Sequence, residues 1–349
     1  MRKQGKRCLA ILLLLGILAG GVTFRQPLLA VSAKAANLSA SYFFTNGMIW
    51  KARGSKPSAK EPSPLATIPA EQGEEAPFLT PSPPAGVKTG KVQTKTLPLS
   101  AANTVTGGVH VSNKTGLSSP IQDLLEKGMP FSLKSTGQPQ VLIVHTHATE
   151  SYLQGDYGYY ISSASTRSTD NTKNTVRVGQ VLAEVLNKAN IVTINDTTQH
   201  DHPNYNGSYT RSRTTIEQYL EKYPTIQVVI DLHRDAIGGG ENIKIKPTTT
   251  VNGKKAAQVM ILAGAQTGSV ENFPNWQENL RFCLQLQRQL ETDYGNLARP
   301  LLFKACKYNF DVLPGSILVE VGTDANTLEE AEYAAELLGN ALVQLLKPI

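Results

Sequence analysis

At 349 residues and a formal net charge of +6, the chain is long enough for a sizeable core, yet its first third is not the material of one. The three cysteines, Cys8, Cys283 and Cys306, lack metal-ligand or CxxC spacing and leave room for at most one intrachain disulfide. The basic balance suits nucleic acid, anionic lipid or a teichoic-acid-bearing wall alike, so charge alone excludes none of them.

Arg2, Lys3, Lys6 and Arg7 precede an apolar run from Cys8 to Val22, the positive and hydrophobic regions of an export signal. The candidate cleavage sites, Val31-Ser32-Ala33 and Ala33-Lys34-Ala35, lie well beyond that run. Residues 1–24 therefore read as an uncleaved, single-pass membrane anchor with the remainder extracytoplasmic. Residues 25–105 read as a low-complexity tether, carrying 61-EPSPLATIP-69 and 80-TPSPPAG-86. Residues 106–138 are transitional, with a short helix expected in 120-PIQDLLEKGM-129.

From 139 to 349 the texture changes to that of a catalytic domain. Strands are expected at 141-VLIVHTH-147, 191-IVTIND-196, 228-VVIDLH-233, 259-VMILAG-264 and 316-SILVEVG-322, each short, apolar and bounded by polar or Gly/Pro residues. Helices are expected at 174–190, 212–223, 276–294 and 327–346, and Thr214/Glu217 and Thr327/Glu330 match capping boxes. The alternation argues for a three-layer α/β domain with a largely parallel sheet flanked by helices.

In such a sheet the ligand crevice lies outside the carboxyl ends of the strands, so polar residues there carry extra weight. Three strand ends share one chemistry: His145, His147 and Glu150; Asp231, His233, Arg234 and Asp235; and Glu320. Imidazole and carboxylate without thiolate suit zinc, and three protein ligands leave a fourth position open. A nearby carboxylate that moves a proton completes the requirements for amide hydrolysis. His147, nearest the crevice, is the favoured ligand, while His145 is the alternative or touches substrate. Arg234 reads equally as a clamp for a substrate carboxylate and as the ion-pair partner of Asp235.

The segments 145-HTHATESY-152, 231-DLHRDA-236 and 308-YNFDVLPGSILVEVGTDANTLEEA-331, together with 174-NTVRVG-179 and 196-DTTQHDHPNYNGSYTRS-212, resemble the signature blocks of the stage II sporulation protein P family. The likeness runs from about Val141 to the C-terminus, and the anchor and tether match the family's layout. It implies a fold related to the zinc-dependent N-acetylmuramoyl-L-alanine amidases, with His147, Glu150 and His233 as zinc ligands and Glu320 as general base. It further implies cleavage of the amide between muramic acid and L-alanine in peptidoglycan, with possible endopeptidase action on cross-links. Stage II sporulation proteins D and M are the implied partners at the sporulation septum, with no nucleic acid. The alternative from another class is a catalytically silent wall-binding or scaffold protein of the same septal complex.

Overall fold

The computed structural model describes residues 82–117, 121–134 and 136–347. The expected anchor at 1–24 and the tether as far as residue 81 lie outside the described residues. Among the described residues no helix is long and apolar enough to cross a membrane.

In chain order the strands are β1 (Thr89–Lys95), β2 (Thr104–Thr106), β3 (Val109–Asn113), β4 (Val141–Val144), β5 (Tyr159–Ile161), β6 (Thr193–Asn195), β7 (Val228–Asp235), β8 (Gly238–Gly240), β9 (Ile243–Val251), β10 (Lys254–Ala257), β11 (Val259–Ala265), β12 (Leu301–Ala305) and β13 (Gly315–Thr323). The helices are α1 (Ile121–Glu126), α2 (Thr175–Lys188), α3 (Ser208–Lys222), α4 (Trp276–Tyr294) and α5 (Leu328–Leu346). All five expected strands lie in one sheet of order β2-β3-β12-β11-β13-β7-β4-β6. Within it β2–β3 and β11–β13 are antiparallel, and the remaining junctions are parallel. The long crossovers between parallel neighbours are where the amphipathic helices go.

Both faces of the central strands are buried, which is why their sequences are nearly continuous apolar runs. On one face Ile143, Ile230, Leu232, Ile261 and Val319 pack with Leu182 of α2, Phe282 and Leu286 of α4, and Leu338 and Leu342 of α5. On the other, Leu142, Val144 and Val229 pack with Ile216 of α3. The result is helix, sheet, helix: an α/β fold with a mixed, mainly parallel sheet. At the start of α5 the Thr327 side chain accepts from the Glu330 N–H and Glu330 caps the Thr327 N–H, so this capping box forms as expected. The Thr214/Glu217 box does not. Helix α3 begins at Ser208, six residues earlier, and the Thr214 hydroxyl donates back to the Thr210 carbonyl at 3.1 Å.

A second, smaller sheet has the order β10-β9-β1-β5, with β8 on β9, and none of its strands is among the five expected. Its strand β1 corrects the expected tether: residues 89–95 are not linker but run parallel to β9, with Val92 buried. The alternation of inward Gly90 and Val92 with outward Lys91 supplies the half-buried pattern of a strand. β2 and β3 likewise place residues 104–113 in the large sheet, so the folded part begins well before residue 139.

Strand β4 stops at Val144, and this separates the two histidines that follow. His145 is fully buried against the helical face, where its Nε2 lies 2.9 Å from Asn195 Oδ1 and its Nδ1 lies 3.3 Å from the Leu232 carbonyl. Burial lowers its pKa, so it sits there as a neutral ring. Gly179 of α2 makes the space, since a Cβ at that position would come within 2.6 Å of both His145 Cε1 and Asn195 Oδ1. Neither the alternative ligand role nor the substrate role expected for His145 is compatible with this position. Gly179→Ala should cost about 1–3 kcal/mol by overpacking, seen as a lower midpoint of thermal or urea unfolding; an unchanged midpoint would show that the His145 niche is not tightly packed.

Candidate metal centre

Past Val144 the chain makes a turn in which the Glu150 N–H donates to the His147 carbonyl at 3.0 Å. The turn folds residues three apart onto one spot, with His147 Nδ1 3.7 Å from Glu150 Oε1. β7 delivers the third group: His233 Nδ1 lies 3.5 Å from Glu150 Oε2. Ligand atoms of His147, Glu150 and His233 all fall within 4.8 Å of one another, and all three residues are buried. The structure thus brings together the three residues expected to be ligands.

Each member is oriented from behind. His147 Nε2 lies 3.1 Å from the Ser208 hydroxyl at the start of α3, and the ring stacks on Tyr205 at 4.6 Å between centroids. His233 Nε2 lies 3.0 Å from Asp231 Oδ1, an electrostatic contact without hydrogen-bond alignment. Asp231 is itself fixed by the Thr146 N–H at 2.9 Å and the Thr146 hydroxyl at 2.7 Å. Glu150 Oε2 accepts the Arg234 N–H at 3.2 Å. Imidazoles held by a hydroxyl and a carboxylate on their far nitrogens are the usual supports of a metal-binding histidine pair.

The electrostatics favour a positive charge at the centre. Burial raises the Asp231 carboxyl, but His233 and the Thr146 donors overcome it and bring the pKa down to about 2. Burial likewise opposes ionisation of Glu150, and His233, Arg234 and His147 reverse it. His233 is carried well above the usual histidine range by Asp231 and Glu150 in spite of burial. Two buried carboxylates around two imidazoles therefore form a pocket that stabilises a cation, and the donor set fits zinc.

Glu320 stands beside this cluster because β13 pairs parallel with β7 and Glu320 is the register partner of His233. Its Oε2 is buried with no hydrogen-bond partner. Burial pushes the carboxyl up to about 7, with His233 acting in the opposite direction. A carboxyl poised in that range next to a cation pocket can both accept and return a proton.

The remaining candidates fall elsewhere. Arg234 does not reach the crevice: its guanidinium donates to the carbonyls of Ser151 at 3.0 Å, Thr166 at 2.6 Å and Asp235 at 3.3 Å, and it is buried. Strand alternation sends it to the face opposite His233, so the expected substrate clamp is a structural tie instead. His200 is buried between the His145 carbonyl at 3.1 Å and the Thr215 hydroxyl at 2.9 Å. Sequence reasoning missed Arg167 and Tyr209. Arg167 pairs with Asp201 at 2.7 Å and approaches Glu150 at 3.6 Å, while the Tyr209 ring meets His147 edge-on at 5.5 Å. Neither ends an expected strand, and no spacing rule points to them.

Comparison with known proteins agrees with the motif reading. The family model for stage II sporulation protein P matches residues 72–343. The stage II sporulation protein P of Bacillus subtilis (strain 168) is 28% identical over 224 residues, covering 61% of this chain and 52% of the relative. The chain thus spans about half the length of that relative. Among solved structures, the N-acetylmuramoyl-L-alanine amidase AmiC2 of Nostoc punctiforme is 11% identical with a TM-score of 0.36, covering 59% of this chain and 96% of that one. An N-acetylmuramoyl-L-alanine amidase from Clostridium difficile 630 is 15% identical with a TM-score of 0.35, covering 60% and 95%. At these scores the fold assignment rests on the strand order itself. With the family model spanning most of its length, including every residue of the buried cluster, the chain belongs to the stage II sporulation protein P family.

Proposed function

We propose that this protein is a zinc-dependent peptidoglycan hydrolase that cleaves the amide between N-acetylmuramic acid and L-alanine. The observation that carries the proposal is the convergence of His147, Glu150 and His233 beside the buried, unpartnered carboxylate of Glu320. His147, Glu150 and His233 would hold the zinc. The ion, when bound, supplies a Lewis acid that polarises the amide carbonyl and acidifies water. Glu320 takes a proton from the water that adds to the carbonyl carbon, and returns it to the amide nitrogen as the carbon–nitrogen bond breaks. The products are a muramic acid carboxylate and a peptide with a free amino terminus. Asp231 and Ser208 keep the two imidazoles aimed at Glu150, and Arg234 holds the Glu150 carboxylate through its backbone N–H.

The membership supports a role in sporulation; within it the proposed work is septal wall remodelling and engulfment, with stage II sporulation proteins D and M as proposed partners and endopeptidase action on cross-links as a proposed second activity. The basic and apolar N-terminal residues 1–24 support a membrane anchor that presents the enzyme to the wall.

Incubation of the full chain with EDTA should abolish dye release from purified peptidoglycan, and zinc should restore it; activity that survives exhaustive chelation would overturn the metal assignment. His147→Ala should leave the purified protein with much less than one zinc per chain by atomic absorption. Glu320→Gln should keep wall binding and zinc stoichiometry while lowering turnover by about 10²–10⁴-fold. A Glu320→Gln variant indistinguishable from the parent would favour the scaffold reading.

A further inference from the structure

A trough on the sheet face that carries His233 and Glu320 is not used by the chemistry above. Its floor crosses four neighbouring strands: Glu320 on β13, Met260 and Leu262 on β11, Leu302 and Lys304 on β12, and Ser112 on β3. Register makes these residues share a face, with Met260 opposite Glu320 and Leu302 opposite both Leu262 and Ser112. Leu97, Pro98 and Ala101 on one side and Arg299 with Pro300 on the other form the walls, while Phe273 and Phe310 pack against Leu262 at one end. The trough therefore opens at one end on the proton-carrying carboxylate.

Charge decides what it suits. Arg299 is already paired with Asp235, 2.9 Å away at the mouth. Lys304 is different: its ammonium donates to the Tyr308 hydroxyl at 3.3 Å and lies over that ring, with no carboxylate partner among the described residues. Arg167, which approaches Glu150 of the metal cluster, is by contrast held by Asp201 in a pocket of hydroxyl and amphipathic side chains. The trough thus combines an apolar floor with one uncommitted positive charge.

Distance sets where that charge acts. Lys304 is the register partner of Gly264, four residues along β11 from the Met260 that faces Glu320, and two strands away. Strand spacings of about 4.8 Å and rises of about 3.3 Å put the two Cα atoms roughly 16 Å apart. An extended peptide advances about 3.5 Å per residue, so with the reach of the lysine side chain the ammonium stands level with about the third or fourth residue from the reacting carbonyl.

We propose that this trough is the subsite for the leaving peptide, an acidic stem peptide whose alanyl side chains lie on Leu262 and Leu302 and whose distal carboxylate is bound by Lys304. This deepens the amidase reading and rests on it for the direction in which the peptide leaves. The test is calorimetric titration of the full chain with an isolated stem tripeptide, L-alanyl-D-glutamyl-diaminopimelate, and with its fully amidated counterpart. The parent should prefer the acidic peptide; Lys304→Gln should weaken that peptide about tenfold and erase the preference, and Lys304→Arg should restore it. Lys304 is partly exposed, so unfolding midpoints should be unchanged. In hydrolysis of soluble muropeptides, Lys304→Gln should raise KM with little change in kcat. Equal affinity of parent and Lys304→Gln for the acidic peptide, or no binding by the parent, would overturn the subsite while leaving amide cleavage intact. Lys304-dependent peptide binding without any cleavage would instead sink the amidase reading and spare the trough.

Discussion

The parallel pairing of β7 with β13, in a register that sets Glu320 opposite His233, is the constraint on which the rest of the site depends. Side chains alternate faces along a strand, so a slip of one residue would carry Glu320 to the face packed against α2, α4 and α5. That face is filled by Ile230, Leu232, Ile317 and Val319 packed against the helices, and the same slip would turn those apolar side chains out of the core. The apolar core thus enforces the register, and the register places an acid beside an imidazole. The antiparallel pairing of β11 on the far side of β13 extends the same row to Met260 and into the trough.

Burying Glu150, Asp231, His147 and His233 together is costly, because each charge leaves water. The protein offsets part of that cost with donors from its own chain: Thr146 to Asp231 and the Arg234 backbone to Glu150. What remains is a pocket biased toward positive charge, in which Asp231 and Glu150 raise His233 in spite of its burial. Glu320 receives no such support, and its pKa of about 7 follows from that isolation. Carboxylates on neighbouring strands, one stabilised and one desolvated, are suited to different tasks: holding charge and moving a proton.

The small sheet gives the site its second boundary. β9 and β10 pack beside the start of α5, with Lys246 buried between Glu330 at 3.0 Å and Asp156 at 2.8 Å. Glu330 is also the capping-box acid of α5, so the helix start and the sheet are fastened through one carboxylate. The segment after β1 then carries Leu97 and Pro98 to the wall of the trough. Residues that read as the end of a linker therefore shape the surface next to Glu320.

Much of this was legible in the sequence. The apolar runs ending in His, Asp or Glu marked the main strands and their carboxyl ends, because a doubly covered strand must be apolar throughout and can be polar only where it leaves the core. From that alone His145, His147, Glu150, Asp231, His233, Arg234, Asp235 and Glu320 stood out, and the family resemblance pointed to His147, Glu150, His233 and Glu320 among them. The hairpin at Asn252-Gly253, both at positive φ, carries a turn signal in the sequence, and with it β9 and β10. Other features have no local signature. Whether His145 or His147 faces the cluster depends on β4 ending at Val144 and on Gly179 leaving a niche across the fold. Arg234 is one residue from a candidate ligand but points to the other face, where three carbonyls from distant segments hold it. Sequence determined which residue types sit at which strand ends, since that follows from burial along the chain; only tertiary structure decided which of them meet, since that follows from register and from partners far apart in the chain, as His145 and Leu232 are, 87 residues from one another.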